Sequence, residues 1–257
     1  MVDELVDRPV VSFVLPAYNE GEFIEGVLEK LDSTVNGDGL RCEIVVVDDG
    51  SADDTRLRAS SYAAGKWYVR VFGYDRNVGK GFAVKTGFWK AVGDAVVFVD
   101  SDLDVDVGQV RRYVDALKHG DIVVGSKWHR DSVVEMSLVR RLLSRGFNVL
   151  VRLLTGVGVS DTQAGIKAVR REAFCEVFRR LSVKRYAFDV ELLVLARVFG
   201  LRVVELPVKL KLSSRFSFRE IWRMLLDLLG IAYRLRVIHW YQRPIRAQNE
   251  PQNTAIN

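Results

Sequence analysis

A chain of 257 residues, 49% hydrophobic and 28% charged, is long enough to bury one large core or two small ones, and it is too apolar for a disordered polymer. Two cysteines, Cys42 and Cys175, at no CxxC spacing, exclude a disulfide framework and a thiolate metal centre and point to a reducing compartment. The net charge of +5 conceals an acidic half, net −8 over residues 1–126 (22 acidic, 14 basic), and a basic half, net +13 over residues 127–257 (11 acidic, 24 basic), so a divalent cation suits the first and phosphates or an anionic membrane the second, with nucleic acid as the rival.

The first ten residues, MVDELVDRPV, carry neither a signal-peptide pattern nor a lipidation motif, so a cytoplasmic location is expected. Apolar, β-branched runs at 10–16, 43–51, 67–73 and 95–102 predict strands buried on both faces, as in a parallel sheet. Helical spacing fills the gaps at 20–31, 52–64 and 81–92, and the alternation predicts a doubly wound α/β layer. Ligands of such sheets sit beyond the carboxyl ends of the strands. Three polar clusters follow strands there: PAYNE (16–20), DDGS (48–51) and DSDLD (100–104), which are expected to form one site.

After DIVVGSKW (121–128) the spacing predicts a helix over 137–154, with Val139, Leu142, Leu143, Leu150, Leu153 and Leu154 on its apolar side and Arg140, Arg141, Arg145 and Arg152 on its polar side. A helix over 188–200, a strand over 201–210 and an amphipathic helix over 217–242 come next. Arg219, Arg223, Asp227, Arg234 and Arg236 interrupt the last too often for a transmembrane span. It is expected to lie on a bilayer as a peripheral element, with packing on the domain or on another subunit as the alternative. The polar tail, 243–257, is expected to be mobile.

The acidic stretch places Asp100, Asp102 and Asp104 at a strand end, where a turn would gather carboxylates around Mg²⁺ or Mn²⁺. An EF-hand loop fails, because Val105 and Arg111 stand where Gly and Glu are needed. An aspartyl-phosphate hydrolase would leave DDGS and PAYNE without a role, and a solvated acidic turn would suffer repulsion among its aspartates. RNVGKGFAV (76–84) is no Walker loop, since Tyr74 replaces the first glycine and Gly81 follows Lys80. Its glycines still allow close backbone approach with Lys80 near a diphosphate, a glycine-bearing helix start being the alternative. His119, His129 and His239 lack ligand spacing, so zinc is not expected.

In order along the chain, VLPAYNE, VVVDDGSADDT, RNVGKGFA and FVDSDLD together resemble family 2 glycosyltransferases of the GT-A fold. GSKW, RRLLSRGFN, SDTQAGIKAVRR, FDVELL and ELPV are similar to the dolichyl-phosphate sugar synthases, DTQAGIK and FDVELL to their glucosyl branch. The resemblance implies a mainly parallel GT-A domain over 1–212, with a nucleotide-sugar half (1–126) and an acceptor half (127–212), and membrane-interface helices over 213–242. It implies that Pro16, Tyr18, Glu20, Asp48 and Asp49 hold base and ribose, with Lys80 and Asp100 at the nucleotide-sugar, and that Asp100 and Asp102 hold the metal. Asp104, where many relatives have Gln, is a further candidate ligand. Lys127 replaces a common Arg and loses its bidentate fork. Lys127, Arg140, Ser144, Arg145 and Arg215 are the implied acceptor-phosphate residues, Ser214 with Arg215 approximating a late Ser-Lys pair.

The implied reaction is inverting transfer of a hexose from UDP-glucose or GDP-mannose to a dolichyl or polyprenyl phosphate, with Asp102, Lys127 and Arg140 as the central catalytic residues. A glycosyltransferase with a sugar, lipid or protein acceptor, and a non-catalytic nucleotide-sugar-binding protein of the membrane surface, are the alternatives. Nucleic acid is not an expected partner, because the basic helices lack an aromatic stacking platform. Oligomerisation stays open.

Overall fold

The computed structural model describes residues 10–37, 41–100, 109–163, 165–211 and 218–243. Asp102, Asp104, Ser214, Arg215 and the tail beyond residue 243 lie outside the described residues. The elements in chain order are β1 (Val11–Ala17), α1 (Ile24–Gly37), β2 (Cys42–Asp48), α2 (Thr55–Ala63), β3 (Val69–Gly73), α3 (Lys80–Lys90), β4 (Ala95–Val99), α4 (Val110–Ala116), β5 (Ile122–Ser126), β6 (Val133–Glu135), α5 (Leu138–Thr155), β7 (Ile166–Arg170), α6 (Arg171–Arg180), α7 (Phe188–Val198), β8 (Val203–Pro207), β9 (Lys209–Lys211) and α8 (Phe218–Arg236).

Seven strands form one sheet in the order β3-β2-β1-β4-β7-β5-β8. β7 runs antiparallel to both β4 and β5, and every other pairing in this sheet is parallel. All residues of β1, β2, β4 and β5 are buried, which explains their near-continuous apolar runs: helices cover both faces and neither can be polar. Successive side chains alternate between two cores. Val14, Val45 and Val47 pack toward α3, α6, α7 and α8. Phe13, Leu15 and Ile44 pack toward α1, α2 and α4.

β1 pairs with β2 on one side and with β4 on the other, so the chain order reverses between β1 and β4. That switch point opens a crevice beyond the carboxyl ends of the strands, where doubly wound sheets bind ligands.

Several expectations change. The helix predicted from residue 20 begins at Ile24, after a turn over Gly21–Phe23. β7 and α6, inside the stretch SDTQAGIKAVRR and beyond it, were not predicted, nor were α4 and β6. The strand expected over 201–210 divides at Val208, where Pro207 ends β8. Proline supplies no N–H to a ladder, and β8 is one of the sheet's two edge strands, where that loss is tolerated. β9 instead pairs with β6 in a second, two-stranded sheet.

α5 is capped at both ends. The Ser137 side chain accepts from the Arg140 amide, and Gly156 closes the helix at φ 69°, a left-handed conformation that glycine adopts without strain. Its apolar side does not face the core throughout: Val151 and Thr155 are buried, Leu150 and Leu154 partly so, whereas Val139, Leu142, Leu143 and Leu153 are exposed. The last helix also differs from expectation. It ends at Arg236, before a short 3-10 turn at Trp240–Gln242, and Leu228 and Ile231 are fully buried in the core beside α7.

Candidate active site

The loops after β1 and β2 are tied together by their own polar residues. The Ser51 hydroxyl accepts from the Asn19 amide at 2.9 Å, Asn19 Oδ1 accepts from the Ala52 amide at 2.9 Å, and the Thr55 hydroxyl accepts from the Glu20 amide at 2.8 Å. Asn19 sits at φ 55°, a conformation that asparagine tolerates. The PAYNE and DDGSADDT motifs are therefore two halves of one scaffold.

A cavity of about 320 Å³ lies at the switch point. Pro16, Tyr18 and Glu20 from the β1 loop, Asp49 after β2, Lys80 at the start of α3 and Asp100 after β4 all line it, so six of the predicted donor-site residues meet in one place. Asp48 does not. It is buried behind the loop, where its Oδ1 accepts from the Ser51 amide at 3.3 Å.

Asp49 borders the cavity with its carboxylate already engaged. Its oxygens accept from the Tyr74 hydroxyl (2.5 Å), Asn77 Nδ2 (2.9 Å) and the Val78 and Gly79 amides (2.9 Å each). A carboxylate has about four lone-pair sites, and the loop between β3 and α3 fills them. Asp49 thus shapes the wall that a nucleotide would meet. Burial and then the Asp49 carboxylate push the Tyr74 hydroxyl pKa up, which keeps it a donor. The same geometry corrects the reading of RNVGKGFAV: the Val78 and Gly79 amides point at Asp49 and not at a phosphate. Gly79 is required there, since φ is 120° and a Cβ would lie 2.5 Å from the Lys184 carbonyl.

Lys80 Nζ is 2.5 Å from Asp100 Oδ1, both side chains being about three-quarters buried. Behind them Lys167 and Asp189 form a buried ion pair at 2.8 Å. Burial pushes the Asp189 pKa up, and Lys167 opposes the shift. The cavity carries Glu20, Asp49, Asp100, Glu220 and Asp227 against Lys80, Arg185 and Arg223. An excess of carboxylates with an accessible Asp100 fits a hard divalent cation, which takes oxygen ligands and usually needs one or two carboxylates besides substrate phosphates. Among the described residues no cluster of three metal-ligating side chains forms, and Asp100 is the one predicted ligand present.

Arg185, Tyr186, Glu220, Arg223, Met224 and Asp227 complete the walls and were not predicted. They come from the α6–α7 loop and from α8, segments without a motif of their own.

Among the described residues, the expected acceptor residues Lys127, Arg140, Ser144 and Arg145 do not line this cavity. Lys127 turns inward: its Nζ is 2.7 Å from Asp161 and 3.1 Å from the Gln163 carbonyl, with Lys127 7% and Asp161 0% exposed. Its charge is spent on Asp161, contrary to the expectation of a cation presented to a phosphate. Asp161, within SDTQAGIK, is the partner that sequence reasoning missed. Next to it, Arg145 lies over the Trp128 ring at 4.7 Å, joining GSKW to α5. Arg140, Ser144 and Arg145 share the N-terminal half of α5, with Arg145 exposed and the other two partly so.

The profile of glycosyl transferase family 2 matches residues 12–178, which hold β1 to β7, most of α6 and the donor-side motifs. The chain belongs to glycosyl transferase family 2. The human dolichyl-phosphate beta-glucosyltransferase is 33% identical over 258 residues, covering 93% of this chain and 80% of that protein. Glycosyltransferase AglD of Haloferax volcanii is 36% identical over 204 residues, covering 77% of this chain, which spans only 32% of AglD. Among solved structures, glucosyl-3-phosphoglycerate synthase of Mycobacterium tuberculosis in complex with UDP superposes with a TM-score of 0.66 at 25% identity, over 88% of this chain and 79% of that one. Another structure of that enzyme, 24% identical, holds Mn²⁺, UDP and glucosyl-3-phosphoglycerate on the same fold. The GT-A architecture and a glycosyltransferase activity follow from the family. Among the described residues no helix is long and apolar enough to cross a membrane.

Proposed function

We propose that the chain transfers glucose from UDP-glucose to a dolichyl or other polyprenyl phosphate, with inversion at the anomeric carbon and release of UDP. The observation that carries this reading is the meeting of Pro16, Tyr18, Glu20, Lys80 and Asp100 in one acid-rich cavity at the sheet's switch point. Relatives named dolichyl-phosphate beta-glucosyltransferase, at 33% and 34% identity, support the sugar and the acceptor. The UDP complex of the solved neighbour supports uridine over guanosine.

In this reading Tyr18 and Pro16 border the base and ribose, and Asp49 holds the β3–α3 loop that forms their wall. Asp100, with Asp102 and Asp104 from the stretch outside the described residues, would hold Mg²⁺ or Mn²⁺. When bound, that ion supplies Lewis-acid stabilisation of the leaving diphosphate. Lys80 adds a positive charge beside Asp100, and Arg185 and Arg223 line the same cavity. The acceptor needs no dedicated general base, because a phosphate monoester with a second pKa of about 6 is largely ionised at neutral pH. Arg140, Ser144 and Arg145 would position it and offset its repulsion from the donor diphosphate. Lys127 serves this group indirectly, by fixing through Asp161 the turn that carries Trp128 under Arg145.

The acceptor's lipid tail places the reaction at a bilayer. Exposed apolar residues recur at helical spacing on α5 (Leu138, Leu142, Val149, Leu153) and on the adjacent α8 (Trp222, Leu226, Leu229, Tyr233), with exposed arginines beside them. This pattern supports a peripheral seat on the cytoplasmic face of an anionic membrane. The catalytic unit then extends past residue 212 to include α8.

Incubation with UDP-glucose, Mn²⁺ and dolichyl phosphate tests the proposal. Mass spectrometry is expected to find a hexosyl phospholipid in step with UDP release, and GDP-mannose is expected to give far less. Transfer of glucose to a different acceptor class with no lipid product would overturn it.

A further inference from the structure

Helix α8 has two faces with different duties. Glu220, Arg223, Met224 and Asp227 line the donor cavity, whereas Trp222, Leu226, Leu229 and Tyr233, spaced i, i+4, i+7, i+11, are each more than half exposed. Its anchoring is uneven. Toward the C-terminal end Leu228 and Ile231 are fully buried, Arg234 reaches Glu191 at 3.3 Å, and Tyr241 just beyond the helix donates to the same carboxylate at 2.6 Å. Between Arg219 and Asp227, Met224 alone is buried. The part of the helix that walls the donor cavity is thus the part with the fewest side chains buried in the core.

The exposed stripe has one occupant that fits. Arg141, Arg145, Arg219 and Arg236 are exposed beside the two stripes, and residues 127–257 carry a net charge of +13. An anionic bilayer matches both the apolar and the basic character. A second copy of this chain would bring an equally basic surface against it, with like-charge repulsion.

We infer that α8 couples the two ligands: seating on an anionic bilayer and binding of the nucleotide-sugar each strengthen the other. Either event fixes the turns between Arg219 and Asp227, so the second binds to a wall already in place and loses less conformational entropy. The inference rests on the donor cavity and the membrane seat proposed above, and adds that they are not independent. Linkage then requires reciprocity. The factor by which vesicles tighten nucleotide binding equals the factor by which nucleotide tightens vesicle binding, roughly fivefold or more for a coupling of ordinary size.

The test uses the full chain and vesicles of phosphatidylglycerol and phosphatidylcholine without polyprenyl phosphate, so that acceptor contacts contribute nothing. UDP with Mn²⁺ is titrated by calorimetry with and without saturating vesicles, and vesicle cosedimentation is measured with and without UDP and Mn²⁺. Both affinities are expected to rise by the same factor, roughly fivefold or more, with slowed amide exchange over 219–227 under either ligand. Vesicle binding with unchanged UDP affinity overturns the coupling and leaves the cavity and the membrane seat standing. Failure to bind vesicles overturns the coupling together with the membrane seat. Failure to bind UDP under either condition overturns it together with the donor cavity.

Discussion

Asp100 and Asp161 are both acidic residues beside a lysine, and their surroundings give them opposite duties. Asp100 stands at the end of β4 with its side chain 28% exposed to the cavity, so its carboxylate can be shared between Lys80 and a ligand. Loss of an outer-shell metal partner typically costs 10–100-fold, so removing a direct ligand is expected to reach the upper end. Asp100→Asn is predicted to lower turnover by roughly 100-fold or more while circular dichroism stays that of the parent; near-parental turnover would contradict the role. Asp161, fully buried against Lys127, is structural in effect. Asp161→Asn strands a buried ammonium and is expected to cost about 3–5 kcal/mol in urea unfolding. Replacing both partners by apolar residues of similar volume is expected to cost far less, because no uncompensated charge remains. The motif letters alone do not separate these duties. DDGS was legible as part of the site, yet that Asp49 spends its oxygens on Tyr74, Asn77 and the Val78 and Gly79 amides depends on a loop some thirty residues further along.

At the scale of elements, two carboxylates act as clasps. Glu191 on α7 is fully buried and accepts from Ser182 N and Oγ, Val183 N, Tyr241 Oη and Arg234, which ties the α6–α7 loop and the end of α8 to one point. Burial and then Glu191 keep the Tyr241 hydroxyl protonated and donating. Glu191→Gln presents an amide N–H₂ to these donors; a loss of about 2 kcal/mol or more and faster amide exchange along α8 are the expected readouts. Asp32, in the second half of α1, accepts from the Tyr62 and Tyr68 hydroxyls and from Lys66. Partial burial raises its pKa, but the Lys66, Tyr68 and Tyr62 hydrogen bonds outweigh burial and hold it below the ordinary 3.8. The folded-state pKa is depressed, so the stability it confers is present above 3.8 and is lost as pH falls through the lower folded value. Asp32→Asn is therefore expected to destabilise by about 1–2 kcal/mol at neutral pH, and the gap to the parent is expected to close in strong acid.

The strands of the first half were legible because burial on both faces leaves a run of apolar letters. β7 was not: Lys167 and Arg170 interrupt a five-residue strand, and a lysine that pairs with Asp189 inside the core looks like a surface residue in the sequence. The stripe on α5 was legible as a stripe, but periodicity does not say whether an apolar side meets the core or a bilayer.

At the scale of the whole molecule, β1 and β4, which flank the switch point, both belong to the acidic half (residues 1–126), and the basic half enters the main sheet through β7 and β8. The difference in charge is legible in composition alone, since 22 acidic residues precede Lys127 and 24 basic ones occupy the remainder from it onward. Part of the cavity wall was beyond sequence reading, because Glu220, Arg223 and Asp227 reach the cavity only through the packing of α8, and Arg185 only through the α6–α7 loop. The cavity at the switch point is proposed to bind a nucleoside diphosphate through a divalent cation held at the end of β4. Calorimetric titration of UDP in Mn²⁺ and in chelator tests it most directly. Binding is expected to be at least roughly tenfold tighter with the ion, with a dependence on Mn²⁺ that Asp100→Asn abolishes; equal affinity in ion and chelator would overturn the assignment.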